Sequence, residues 1–584
     1  MEIHFGPKIR LAERIRQLRR PQRVIAPPTT LGDFIRSPLI CLSAPHITQV
    51  PAVEVYGKGK TKRLIRVEDM KRLFNEGRLA FAHNESKDYL VMEEAFDEHT
   101  KEIYTYESLV AVRKMDSACS ISEHPSLPFE RALFLRVEGQ ILAGSKPANL
   151  RHLAYMLKEV SEIGCDYITA TAVLLHNLNK QDAERILTGR QKKSGNLLTA
   201  ANQVQNAVER FREINGIPYL PPAKKVEHHI QNYLDAMIKI AKGDGRALLL
   251  LLVHKLSSIK MQTDDARDIT GRAVREIIAP LAERLGLIPL AIKIRNESFR
   301  LYEPEKYKEM EAEILAGLSL SRTEAEELLN QVSAKLSEEL EDNKSLIRTR
   351  VKTPWGAYAK TQYKGEEYPE IYLMNDLLAG MVITKRALKL EEAIDHITRA
   401  LGDEFCGLNS TGGQVETKYY TVGDRKVQVH HVGVSLKNGN SIEFQFMDES
   451  AYQTIERGYL AHWAYKLEML TGQKFDRELL EICAQRMNGD IIHDAKMIYQ
   501  TLLAWVYVFA NEEKFIRVIR LEAGAIPANA AAFLLHDDLS YYNGSRIGKI
   551  WEDTKKLRTA GEIKLLQDGD YLSLKPLKKP LRRK

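Results

Sequence analysis

Long hydrophobic runs are missing from this sequence. Runs such as ALLLLLV at Ala247–Val253 fall far short of the roughly 20 apolar residues that a membrane-spanning helix needs, so no membrane partner is expected. Cysteine is scarce: the five cysteines (Cys41, Cys119, Cys165, Cys406, Cys483) lie far apart and form no C-x-x-C pair. That excludes a disulfide framework and a cysteine-based zinc site, and it points to a reducing, cytoplasmic setting. The N-terminal segment KIRLAERIRQLRRPQR has no apolar core, follows Glu2 and is interrupted by Glu13, so it does not read as a secretory signal, while an organellar presequence stays open. No internal repeat is visible.

What is present is the composition of an ordinary globular protein, 44% hydrophobic and 28% charged over 584 residues, long enough for several domains because single cores stop growing at about 250–300 residues. The net charge of +7 is modest. Basic runs at both ends, KIRLAERIRQLRRPQR and KPLKKPLRRK, suit phosphate neutralisation, or equally a solvated helix face and a frayed tail.

Residues 1–127 mix helical and strand-like patterns around the Pro-rich IAPPTT and offer no interpretable motif. From Pro128 to about Tyr307, segments such as RHLAYMLKEV, ITATAVLLHNL and RALLLLLVHKL carry apolar residues at three- and four-residue spacing, which predicts helices. Glu311–Asn343 reads as linker helices, Leu346 to about Leu470 as an α/β region, and the stretch after it as a helical connector. Short β-branched runs and the turn signals Asn543-Gly544 and Asp568-Gly569-Asp570 predict a small β-rich domain near the C-terminus.

Two regions carry candidate chemistry. In the helical region His152 (RHLAYML), His176 (LLHN) and His254 (LVHKLSS) are candidate metal ligands; three imidazoles suit a softer ion such as zinc, and the competing reading keeps them as hydrogen-bonded core residues. In the α/β region Thr353-Pro354 predicts a helix start, with Arg350 and Lys352 beside free backbone N–H groups and Lys360 two turns on, a basic cluster suited to phosphate. Downstream, KVQVHHVGVSLKNGNSIEFQFMD predicts a hairpin whose three-residue loop places Gly439 in the left-handed region. That loop sets Val434 against Ile442 and Val432 against Phe444, brings His431 beside Gln445, and puts Val427 on the Glu443 face. Asp376, just ahead of the strand GMVIT, then joins Glu443 as a magnesium-binding pair.

The order of the helical segments, followed by REIIAPLAERLGL and SFRLYEPEKY, resembles the HD hydrolase domain of long RelA/SpoT homologues, the enzymes that make and destroy guanosine tetra- and pentaphosphate. The spacing R-x-K-T, N-D-L-L-A, I-E-F-Q and ERGYLAHWAYK resembles the synthetase domain of the same family, and the stretch from WVYVFANEEKF to LLQDGDYLSL resembles its TGS domain. The implied fold is multidomain α+β: an all-α HD-like domain (128–310), a helical linker (311–345), an α/β nucleotidyltransferase-like synthetase domain (346–470), a helical connector (471–504), a β-grasp TGS domain (505–574) and a basic tail (575–584), after an extension (1–127) of unknown role. The resemblance implies that Arg350, Lys352 and Lys360 hold ATP phosphates, with His431 and Gln445 as further nucleotide-binding residues. It makes Asp376 and Glu443 the catalytic magnesium ligands for pyrophosphoryl transfer to GTP or GDP, and His536 a contact to transfer RNA on the ribosome.

Several positions depart from the family pattern. Asn177 stands for the aspartate after LLH, His254 for the second metal-binding aspartate, and Lys180 and Gln181 for a Glu-Asp pair that serves the attacking water. A lysine there cannot act as carboxylate base, so hydrolysis is not expected and manganese or zinc in the helical region is not favoured. Met381 replaces an arginine of the synthetase and Val427 its guanine-stacking tyrosine; loss of stacking forfeits roughly 1–3 kcal/mol. The expectation is a protein of alarmone metabolism with an inactive hydrolase and a weak or inactive synthetase, regulatory through nucleotide, transfer RNA or ribosome binding. The chain ends after the TGS-like region, so ribosomal sensing is expected to work differently from that of longer members. The alternatives are an active ATP:GTP 3′-pyrophosphotransferase, with the missing functions supplied by Tyr358, Arg425 or the extension, and an RNA-binding protein on a reused scaffold.

Overall fold

A computed structural model describes the chain between residues 52 and 573, except 67–72, 74–77, 84–87, 120–126, 189–194, 220–227, 262–272, 341–344, 365–370, 409–414, 526–548, 560–564 and several gaps of one to three residues. His536 and the Asn543-Gly544 turn lie outside the described residues. The protein mixes helices and sheets in two compact units, Met1–Val208 and Glu209–Lys584. No described helix is long and apolar enough to cross a membrane.

In the first unit, β1 (Ala52–Tyr56), β2 (Lys62–Arg66), β3 (Leu79–His83) and β4 (Asp88–Met92) form a sheet of order β2-β1-β4-β3, with β1 and β4 parallel. Val55, Leu79, Phe81 and Leu90 bury against the helix Thr100–Cys119, where the Phe81 and Tyr106 rings stack at 5.0 Å. Sequence patterning did not segment this sheet, because its strands are only five residues long. Helices Leu127–Gly144, Pro147–Ile163 and Tyr167–Leu175 follow. Asp116 ties three helices together by accepting from Arg131 Nε at 2.9 Å and from the Tyr167 hydroxyl.

The second unit carries helices His229–Ile240, Gly245–Met261, Ala279–Arg284, Ile288–Tyr302, Pro304–Leu318 and Arg322–Glu339. The last starts at a Ser321 capping box with Glu324. A six-stranded sheet follows: β5 (Leu346–Val351), β6 (Leu378–Thr384), β7 (Phe405–Leu408), β8 (Glu416–Val422), β9 (Arg425–Leu436) and β10 (Ser441–Asp448). Its order is β5-β6-β10-β9-β7, with β8 paired to β9 and β6 parallel to β10. The expected hairpin register holds: Ile442 faces Val434, Phe444 faces Val432 and Gln445 faces His431, with Gly439 at φ +84. One face of the sheet buries Ile442, Phe444 and Phe446 with Leu329, Leu336 and Ile397. On the other face Ile383, Val427, Val429 and Met447 make a smaller cluster with Ala451 and Tyr452 of the helix Glu449–Glu456.

Helices His462–Thr471, Arg477–Ala484 and Ile491–Thr501 lead to β11 (Trp505–Glu512) and β12 (Phe515–Glu522), an antiparallel pair. A short ladder joins β13 (Lys549–Glu552) to β14 (Lys556–Thr559), and β15 (Tyr571–Ser573) runs parallel to β11. Beneath these strands the fully buried Asp235 meets Arg284 and accepts from the Tyr507 hydroxyl at 3.0 Å.

Candidate functional site

The strand period arranges the site. Arg348 and Arg350 alternate with Ile347 and Thr349 along β5, and Lys352 continues the same spacing. Thr353 caps the following helix, Pro354–Lys364, by accepting from Gly356 N at 3.1 Å. That helix is held against Ile288–Tyr302 by Phe299, which stacks on Tyr358 at 5.0 Å and meets Trp355 edge-on. Tyr358 is thus committed to packing, while Lys360 turns to the sheet.

Lys352 N donates to Leu377 O at 2.8 Å, which pins the loop carrying Asp376 just before β6. Three cations converge on that carboxylate: Lys352 Nζ on Oδ2, Lys360 Nζ on Oδ1 at 2.8 Å, and Arg350 Nη2 at 3.7 Å. Burial alone would raise the Asp376 carboxyl, but Lys352, Lys360 and Arg350 outweigh it and hold it well below the usual carboxylate range. Burial also pushes the Lys352 ammonium down to about 7 against the pull of Asp376, and the charges of Arg350 and Lys360 add to the fall.

Across the sheet, Arg350, Ala379, Glu443 and Gly433 share one row. Ala379 and Gly433, its cross-strand neighbours, add almost no bulk beside Glu443, whose side chain is 19% exposed. His431 Nδ1 donates to Glu443 Oε1 at 2.9 Å. Burial raises the Glu443 carboxyl and the Asp376 charge adds to it, but this hydrogen bond together with the charges of His431 and Lys360 outweighs both and lowers it. The next row holds Arg348, Met381, Gln445, His431 and Glu416. Arg348 donates to the Tyr452 hydroxyl at 2.6 Å and lies over that ring. Arg350, Lys352, Lys360, Asp376, Glu443, His431 and Gln445 therefore belong to one face of one sheet and its margin.

The two departures of this region also come together. Val427 is buried in the cluster under Tyr452, and Met381 packs against that cluster. Neither position presents a polar or stacking group. The side chain of Arg425 lies outside the described residues.

Sequence reasoning singled out ERGYLAHWAYK without assigning its residues a role. Burial raises the Glu456 carboxyl, with Glu283 adding to it, and lowers the Lys466 ammonium to about 8, with Arg350 adding to that. His462 is pushed well below its ordinary value, first by Lys466. Glu456, His462 and Lys466 all feel the charge of Arg350, so the motif borders the cationic cluster. The signal was the specificity of the string itself, though its spacing alone does not reveal which carboxylates and cations it meets.

The histidines divide between the units. In the first, His152 and His176 bring their Nε2 atoms to 3.2 Å, and His176 Nδ1 donates to Val173 O at 2.7 Å, which leaves its Nε2 as an acceptor. Asn177, Lys180 and Gln181 beside them are exposed. In the second unit His254 is buried on Gly245–Met261, edge-on to Phe211 at 5.4 Å.

No protein-family model matches the chain. Curated relatives do. It is 23% identical over 421 residues to the bifunctional (p)ppGpp synthase/hydrolase SpoT of Escherichia coli, a match that covers 69% of this chain and 55% of that protein. It is 23% identical to a GTP pyrophosphokinase of Streptomyces coelicolor, over 62% of this chain and 40% of that protein. It is 24% identical to a guanosine-3′,5′-bis(diphosphate) 3′-pyrophosphohydrolase of Aquifex aeolicus, over 53% and 41%. The chain thus spans about half the length of the curated relatives it matches, and those relatives carry the names of (p)ppGpp synthases and hydrolases.

Proposed function

We propose that this chain is a divergent RelA/SpoT-family protein of guanosine tetra- and pentaphosphate metabolism, with an HD-like region (128–310), a synthetase-like region (346–470) and a TGS-like region (505–574). Its hydrolase is inactive and its synthetase weak or inactive, and it regulates through nucleotide, transfer RNA or ribosome binding. The observation that carries the nucleotide reading is the convergence of Arg350, Lys352 and Lys360 on Asp376 beside Glu443. Three cations around one carboxylate leave an excess of positive charge, which suits a polyphosphate.

Asp376 and Glu443 are oxygen donors of the kind magnesium takes, and each feels the other's charge. They would hold the ion, which supplies neutralisation of the phosphate charge. Lys352 and Lys360 would turn from Asp376 to the phosphates, and His431 would keep Glu443 ionised and oriented. Packing of Met381 and Val427 into the Tyr452 cluster supports the loss of transfer, because neither a guanidinium nor an aromatic platform stands at those places. The hydrogen bonding of His152 and His176, and the exposed Lys180 where a base would be needed, support a structural helical region.

The test is incubation of the full chain with labelled ATP, magnesium and GTP or GDP, with and without ribosomes, alongside calorimetry. We expect ATP binding that weakens about tenfold or more in Lys352→Gln/Lys360→Gln, and no 3′-pyrophosphorylated product. Brisk product formation would establish the active pyrophosphotransferase instead. No nucleotide binding at all would reject the site.

A further inference from the structure

Charge is distributed unevenly along the chain. Residues 1–78 hold 16 Lys+Arg against 7 Asp+Glu, whereas the whole chain holds 85 against 78. The positive excess therefore sits in the first 78 residues, and the remainder is slightly acidic. One dense part is YGKGKTKRLIR, Tyr56–Arg66, with five cations and no acid.

The fold pairs the strands that flank this run's turn, β1 and β2, at a sheet edge. β1 and β2 pair Tyr56 with Lys62 and Val55 with Arg63, and β2 is the outermost strand. Gly57 N donates to Thr61 O at 2.8 Å, and the Thr61 hydroxyl donates to Lys58 O at 2.9 Å. A Cβ at Gly57 would lie 2.8 Å from Thr61 Oγ1, so a side chain there would have to displace the Thr61 hydroxyl. The turn is thus closed by backbone and hydroxyl groups, and Lys58, Lys62 and Arg63 remain exposed. Lys62 Nζ lies 5.3 Å from the Tyr56 ring centroid. Arg63 pairs with Glu94 at 3.2 Å at the surface, with the Arg63 side chain 62% exposed, a contact weak enough to exchange for phosphate.

We propose that the β1–β2 edge, through Lys58, Lys62 and Arg63, docks on the phosphodiester backbone of structured RNA. Cations strung along an open edge suit a polymer of phosphates better than a single nucleotide, which needs an enclosing pocket. Exposed lysine and arginine on an open edge neutralise phosphates whatever the base sequence, so the contact is to shape and backbone, as for double-stranded RNA. An anionic membrane is disfavoured because Gly57–Lys62 contains no apolar side chain to insert, and Val55 is buried in the core with Ile65 packed against it. These residues belong to the first unit, and the residues around Asp376 to the second.

The test is fluorescence anisotropy of a labelled RNA stem-loop with the full chain across a salt series. Binding should weaken steeply with salt, and Lys58→Gln/Lys62→Gln/Arg63→Gln should bind at least tenfold more weakly with a log–log salt slope smaller by about 2–3. Lys58→Arg/Lys62→Arg should retain wild-type binding. Should the triple variant not fold, each single Gln substitution should still lower the slope by about one. An unchanged affinity and slope in these variants would overturn the proposal, as would binding to phosphatidylserine vesicles with indifference to RNA. ATP binding measured on the same triple variant should stay at the wild-type level, so failure of this inference and failure of the nucleotide reading show up separately.

Discussion

Asp376 engages more positive charge than it can neutralise, and Lys352 bears the consequence. Burial, with only 6% of the side chain exposed, is the first cause that pushes its ammonium down to about 7, below the ordinary lysine range. An anionic phosphate favours the protonated form, so binding draws a proton onto Lys352 at pH above about 7. Nucleotide affinity should therefore fall as pH rises from about 6.5 to 8.5, and Lys352→Gln should flatten that dependence. Calorimetry in two buffers of different ionisation enthalpy checks both, since proton uptake appears as a buffer-dependent heat that the variant loses. Asp376 stays ionised throughout that range and contributes no slope. The residue types at this site were legible from Arg350, Lys352, Lys360 and Asp376 in the sequence. Their mutual engagement was not, because the loop before β6 and the helix Pro354–Lys364 meet only in the folded sheet.

At the scale of an element, β6 does opposite things on its two faces. Ala379 puts only a methyl group between Arg350 and Glu443 in their shared row, and Gly380 lies under the Phe444 ring, where a Cβ would come within 2.5 Å of Cδ1 and Cε1. Gly380→Ala should therefore destabilise the second unit by about 1–3 kcal/mol through overpacking. A urea melt would show it as a lower midpoint at unchanged slope, and an unaltered midpoint would mean that Phe444 moves aside freely. The hairpin β9–β10 was readable in advance because apolar alternation and the left-handed Gly439 fix its register locally. The strands β1–β4 were not, since five-residue strands leave too little periodicity to separate from helix.

For the second unit as a whole, the C-terminal strands rest on the helix His229–Ile240 through buried polar groups. Asp235 takes Arg284 and the Tyr507 hydroxyl, Lys239 meets Asp568 at 3.3 Å, and the Asn232 amide donates to Val518 O at 3.3 Å. Breaking such a pair leaves a charge buried without its partner. Asp235→Asn should cost about 3–5 kcal/mol, and Tyr507→Phe about 1–3 kcal/mol. Thermal melts followed by circular dichroism and by tryptophan emission would report both losses. A neutral Asp235→Asn would mean that water reaches Arg284.

The sequence by itself determined the local rules: where strands alternate, where Thr353 starts a helix, where Gly439 turns the chain, and which residue types attract phosphate. These follow from backbone periodicity and turn chemistry within a few residues. Only the tertiary structure decided that Met381 and Val427 pack into one apolar cluster, that Lys352 and Lys360 hold both oxygens of Asp376, and that part of the chain's excess charge lies on the β1–β2 edge. Burial and cross-strand neighbours depend on residues distant in the chain, and no local pattern encodes them.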